Sequence, residues 1–287
     1  MTGLRHDAPV GVFDSGLGGL TVVREMLRLL PRERIVYVGD TAHVPYGGRP
    51  LDEVRGFAQN ISRFLIEQAG CKAVVMACNI SSAVARDSVE AAHPEMPILG
   101  VIGPGARAAV RLSGGAPVAV LATEGTVRSG AYGRVLAAES PGAAVTETAC
   151  PDFVPLVEAG RTESSEALAA AQRYLGAALH GGARVVILGC THYPFLLPTL
   201  ARAAGPDVAF VDPAGETARE LACVLAARDL AAPERSAAPP PAHTFYATGD
   251  PDTFAVGATV FLGDVAESVR HLSWREESLV PDGSDAH

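Results

Sequence analysis

Apolar and polar positions divide the chain into repeating strand–loop–helix units. Short unbroken apolar runs recur at Val10-Gly11-Val12-Phe13, Val74-Val75-Met76-Ala77, Val118-Ala119-Val120-Leu121 and Val185-Val186-Ile187-Leu188. A run of that length, apolar on both alternating faces, predicts a strand covered on both sides, as in a parallel sheet. Elsewhere the spacing lengthens to three or four residues, predicting amphipathic helices over 20–30 and 127–137. Strand, loop and helix alternate from Val10 to about Leu99. The breaker-rich stretch Gly100 to Gly105 then predicts an irregular crossover. A second series runs from Pro117 to about Gly205, and Val208 to Val211 predicts a further strand before a helix over 215–228. The Pro/Ala-rich residues 231–242 predict a loose surface loop, and Phe245-Tyr246-Ala247 a final strand. The polar residues 273–287 predict a flexible tail.

The two series echo one another. Ala8-Pro9-Val10 through Asp14-Ser15 resembles Ala116-Pro117-Val118 through Ala122-Thr123. Val44-Pro45-Tyr46 parallels Val154-Pro155-Leu156, and the strand ending at Cys78-Asn79 parallels the one ending at Cys190-Thr191. Chance likeness among Ala/Val/Gly-rich strands accounts for any single pair, but less readily for three in the same order. The pattern predicts an α/β fold of two pseudo-symmetric lobes, each a largely parallel sheet flanked by helices, with the active site in the cleft between them. Residues 8–99 plus 208–263 would form the first lobe and 100–207 the second.

Length and composition narrow the function. A chain of 287 residues suits two domains of ordinary size. A formal net charge of −9 argues against a nucleic-acid surface. No apolar run is long enough to span a membrane, and Met1 to Ala8 lacks the features of a signal peptide. Five cysteines, an odd number without framework spacing, predict reduced thiols and a cytoplasmic location. Lys72, the only lysine, stands at the start of a strand rather than at its carboxyl end, which disfavours a pyridoxal Schiff base. Asp14, Cys190 and His192 match no standard zinc spacing, and Gly16-Leu17-Gly18-Gly19 lacks the dinucleotide-loop pattern. The sequence therefore predicts an enzyme without metal or organic cofactor.

Cys78 and Cys190 are the leading chemical candidates, since ligands in open α/β sheets sit beyond the carboxyl ends of strands. A thiol titrates near 8.5 and can serve as acid or base. Removing a proton beside a carboxylate and returning it on the other face needs one such group on each side. Near-attack distances of about 3–3.5 Å then put the sulfurs roughly 7 Å apart. A lone free cysteine is more often a small buried hydrophobe, which is the reading for Cys71 and Cys223. Asp14, Glu158 and His192 are candidates to poise the thiols. Ser15, Asn79 and Thr191 are suited to hydrogen-bonding a carboxylate or ammonium.

Five motifs carry a resemblance. They are Phe13-Asp14-Ser15-Gly16-Leu17-Gly18-Gly19, Gly39-Asp40-Thr41 with Pro45-Tyr46-Gly47, Ala77-Cys78-Asn79, Cys190-Thr191-His192-Tyr193-Pro194, and Thr248-Gly249-Asp250. In this order, over almost the whole chain, they resemble the glutamate racemases of the aspartate/glutamate racemase family. The resemblance implies cofactor-independent conversion of L- to D-glutamate for peptidoglycan, and so a role in cell-wall biogenesis and cell shape. It implies Cys78 and Cys190 as acid/bases, assisted by Asp14, Glu158 and His192. Substrate would be held by Asp14, Ser15, Tyr46, Gly47, Asn79, Ile80, Thr191 and His192. Ile80 departs from the Thr or Ser usual after Cys-Asn in the family. Glutamate is the implied partner, with no nucleic acid or membrane, and a homodimer is left open. An aspartate racemase or related two-thiol racemase, or a non-catalytic binding protein on the same fold, are the rival readings.

Overall fold

A computed structural model describes residues 5–233, 241–263 and 268–282. The first series contains β1 (Val10–Asp14), α1 (Leu20–Leu29), β2 (Ile35–Gly39), α2 (Leu51–Arg63), β3 (Ala73–Met76), α3 (Asn79–Ala92), β4 (Ile98–Gly100) and α4 (Ile102–Ser113). The second contains β5 (Val118–Ala122), α5 (Glu124–Ser129), α6 (Ala131–Glu139), β6 (Val145–Ala149), α7 (Phe153–Glu158), α8 (Ser165–Leu179), β7 (Val185–Gly189), α9 (Leu197–Ala204), β8 (Ala209–Val211) and α10 (Pro213–Ala227). The chain closes with β9 (Thr244–Ala247), α11 (Pro251–Leu262), β10 (Val269–Arg275) and β11 (Ser278–Pro281).

Two sheets result, in the orders β11-β10-β9-β2-β1-β3-β4 and β6-β5-β7-β8. Among the described residues every pairing is parallel except β10 with β11. The quartets β2-β1-β3-β4 and β6-β5-β7-β8 follow the same path, so the sequence echo corresponds to a repeated topology. Helices cover both faces of these sheets, which is why β1, β3, β5 and β7 are buried throughout and read as apolar runs.

The last helix of each series crosses to the other lobe. Ala214, Ala218, Leu221 and Leu225 of α10 share a core with Leu20, Val22, Val23 and Met26 of α1 on the first sheet. Ile102, Ala106 and Ala109 of α4 pack with Tyr132 and Leu136 of α6 on the second. The two halves are thus clasped by exchanged helices, and α4 lies against α10.

The fold corrects several expectations. β8, placed by sequence in the first lobe, pairs with β7 in the second sheet, and only from α10 onward does the chain return. The breakers Gly100 to Gly105 do not make an irregular crossover: Gly100 ends β4, and Pro104 falls in the first turn of α4, where its missing N–H costs no hydrogen bond. The helix expected over 127–137 is two helices, α5 and α6, broken at Gly130, whose φ of 62° is left-handed. Phe245 to Ala247 is not the last strand. Residues 273–282 are no loose tail, because β10 extends the sheet, β11 pairs with it, and Leu272 and Leu279 enter the core. Positions 283–287 lie outside the described residues, as do 234–240 of the expected surface loop; before it, Ala232 N–H donates to Glu33 at 2.7 Å.

Candidate active site

The cleft forms where the carboxyl ends of the two sheets face one another. β3 runs out at Met76, and Cys78 becomes the extended residue capping the amino end of α3. β7 runs out at Gly189, and Cys190 opens the turn into the short 3₁₀ helix Tyr193–Leu196. Both cysteines line a single cleft of about 840 Å³, its open mouth included. Ser15, Tyr46, Gly47, Asn79, Ile80, Glu158, Thr191 and His192 line it as well, so ten of the eleven residues singled out by sequence share one wall surface.

Asp14 is the exception: it is fully buried behind the wall and does not line it. Its carboxylate accepts from Gly16 N–H at 3.1 Å and from Thr191 Oγ1 at 3.4 Å, so it connects the loop after β1 to the turn after Cys190. The glycines of that loop serve this close approach rather than a phosphate. A Cβ on Gly18 would lie 2.3 Å from Thr191 Oγ1, and one on Gly19 would lie 2.5 Å from Asp14 Cβ. Tyr46 lines the cleft, and its hydroxyl donates to Asp40. Ile80 packs with Val54, Tyr46 and Cys78 in a small apolar cluster, taking up space near the Cys78 sulfur.

The two thiols have unlike electrostatic surroundings. Burial pushes the Cys78 thiol up to about 12, and the Asp14 carboxylate adds to the rise by opposing a second negative charge. Ser81, in the first turn of α3, opposes that rise. Beside Cys190 stands His192, with Nδ1 3.8 Å from Sγ and Nε2 3.6 Å from the Glu158 carboxylate. Burial opposes a charged imidazole, but the Cys190 and Glu158 contacts outweigh it and raise His192 to about 10. His192 is thus held toward its charged form beside Cys190, while Asp14 stands on the Cys78 side.

From the other lobe, the buried Tyr132 hydroxyl of α6 donates to Asn79 Oδ1 at 2.7 Å, which leaves the Asn79 amide N–H groups as donors. Lys72 is fully buried at the opposite end of β3 from Cys78, paired with Glu33 at 2.6 Å. Sequence reasoning missed Thr123, Thr126 and Cys150, which also line the cleft. Thr123 and Thr126 share a 3.0 Å hydroxyl contact. Thr123 occupies after β5 the place Ser15 occupies after β1, so the internal echo already pointed to it. Cys150, raised by burial, donates to Thr148 O at 3.4 Å, and no spacing in the sequence marks it.

The profile of the family described as Asp/Glu/Hydantoin racemase matches residues 10–221. The chain belongs to this aspartate/glutamate racemase family. Its relatives include glutamate racemases. That of Acidothermus cellulolyticus is 45% identical over 90% of this chain and 96% of its own length. The structure of glutamate racemase from Thermus thermophilus in complex with beta-chloro-D-alanine is 44% identical, covers 95% of this chain and 99% of its own, and superposes with a TM-score of 0.83. That from Francisella tularensis in complex with D-glutamate is 32% identical, covers 93% and 98%, and has a TM-score of 0.85. This racemase is accordingly an isomerase acting on amino acids. Among its described residues no helix is long and apolar enough to cross a membrane.

Proposed function

We propose that this chain interconverts L- and D-glutamate by proton exchange between Cys78, Cys190 and the substrate α-carbon, without metal or organic cofactor. The observation that carries the reading is the position of the two thiols at equivalent strand ends of the repeated topology, both facing one cleft. One sulfur, as thiolate, takes the α-proton and becomes a thiol. The C–H electron pair passes into the carboxylate, leaving a planar carbanion-like centre. The opposite thiol donates its proton to the other face and is left as thiolate. Protons are thereby conserved, and one negative charge has moved from one sulfur to the other.

His192, paired with Glu158, keeps positive charge beside Cys190, while Asp14 stands behind Cys78; these groups poise the thiols for opposite roles. Ser15, the Gly47 backbone, Asn79 and Thr191 supply polar atoms to hold the amino acid's carboxylates and ammonium. Glutamate is favoured by the likeness to glutamate racemases, one of them in complex with D-glutamate. Supply of D-glutamate for peptidoglycan, from the cytoplasm, is the cellular role that accompanies this activity.

The test follows the circular dichroism of L-glutamate incubated with the purified protein. Decay toward zero is the expected result, with Cys78→Ser and Cys190→Ser each nearly abolishing it, because a hydroxyl is a far weaker acid than a thiol at neutral pH. Near-parental turnover in either serine variant would sink the two-thiol mechanism. Decay with L-aspartate but not L-glutamate would transfer the assignment to aspartate.

A further inference from the structure

The loop that carries Tyr46 and Gly47 to the cleft is anchored at a buried carboxylate outside it. Asp40, fully buried at the end of β2, accepts from four side chains at once. Tyr46 O–H comes from the cleft loop itself, and His43 Nδ1, 2.9 Å away, from the same loop. Thr248 Oγ1, at 2.6 Å, comes from the end of β9. The fourth donor is Trp274 Nε1, at 2.8 Å, from β10. Burial alone would disfavour an ionised Asp40, yet these hydrogen bonds hold it below the ordinary carboxylate range.

Trp274 does more than complete the count. Its ring lies edge-on to His43 at 5.1 Å and to Phe57 at 5.6 Å, and His43 stacks on Phe57 at 4.1 Å. One residue of the C-terminal strand pair thus touches the Tyr46 loop through both a carboxylate and an aromatic stack. Arg49, further along the loop, is fixed from the other lobe by Arg128 Nη2 donating to its carbonyl at 3.0 Å. The stretch between these anchors carries the Tyr46–Gly47 wall.

We propose that Trp274 is a positioning residue for substrate binding: through Asp40 it fixes the Tyr46–Gly47 loop at the cleft wall, which makes the C-terminal β10–β11 pair part of the binding apparatus. The proposal rests on the reading that this wall holds the amino-acid substrate. The hydrogen bonds and ring contacts of Trp274 and Asp40 go to neither thiol, so the effect falls on binding more than on the proton-transfer step.

Trp274 is the chain's only tryptophan, so its fluorescence reports this one junction. Racemisation of glutamate by the parental chain is measured first and decides the reading beneath the proposal. In Trp274→Phe, which keeps an aromatic ring but loses the N–H, KM for glutamate should rise about tenfold with kcat within about twofold, the size of one lost hydrogen bond to a charged group. In the parental chain, saturating D-glutamate should change Trp274 emission with a midpoint near KM. Tyr46→Phe, which cannot donate to Asp40, should diminish that change while circular dichroism shows the fold intact. An unchanged KM in Trp274→Phe overturns the proposal. So does a fall in kcat and melting temperature without a change in KM, which is the mark of a purely structural strand, or a parental emission that glutamate leaves unaltered.

Discussion

At the scale of single residues, the two thiols are chemically identical and become different only through their neighbours. The Cys78 sulfur is buried next to a carboxylate; the Cys190 sulfur adjoins an imidazole that is itself backed by Glu158. The sign of the Asp14 effect gives a direct test. A negative carboxylate opposes formation of a thiolate, so Asp14→Asn should lower the Cys78 pKa from its raised value near 12. At a fixed pH of 8 the thiolate fraction rises, and alkylation of Cys78 by iodoacetamide, followed by peptide mapping in a Cys190→Ser background, should become faster. A slower or unchanged rate would mean that Asp14 does not act on Cys78 through its charge. The same substitution weakens the acceptor of Thr191 Oγ1, so loss of turnover in Asp14→Asn combines both effects and the alkylation rate separates them.

At the scale of elements, strand ends place the reacting groups and helices from the opposite lobe orient them. Asn79 stands in the first turn of α3, but the side chain that fixes its amide comes from α6. Tyr132 is fully buried, and burial raises its phenol far above its ordinary value, so it remains a donor throughout the working pH range. A phenol that only donates to Oδ1 orients the Asn79 amide with its N–H groups toward the cleft. Tyr132→Phe should therefore raise KM for glutamate severalfold and cost about 1 kcal/mol of stability by leaving a buried acceptor unpaired. In an Asn79→Ala background the same change should add little to KM, since its target is gone. Full additivity of the two substitutions in KM would show that Tyr132 acts by some route other than Asn79.

At the scale of the whole molecule, the exchange of α4 and α10 decides how the lobes behave. Each sheet has one face covered by a helix from the other series, so neither series alone buries its own apolar strands. Unfolding one lobe exposes the partner's core. Calorimetry of the intact chain should show a single cooperative transition in which the calorimetric and van't Hoff enthalpies agree, despite two sheets. Two resolved transitions would mean that the lobes are energetically independent and that the exchanged helices contribute little.

The sequence by itself determined the α/β class, the repeat and the cysteine pair. Each of these is written in local patterns: apolar runs for strands buried on both faces, a glycine or small polar residue at each strand end, and a thiol at the same place in each copy. Membership of β8 in the second sheet was not legible, because three apolar residues pair equally well with either edge until the path of the chain is known. Nor was the hairpin at 269–282, whose half-exposed strands show only weak alternation and whose anchoring residues, Leu272, Trp274 and Leu279, matter through what they reach. Nor was the bond from the Tyr46 hydroxyl to Asp40, or the place of Thr123 beside Thr126 on the cleft wall. Most of these outcomes depend on segments far apart in the chain being packed against one another. The backbone's local preferences are silent about such meetings, and only the packing of the two sheets decided them.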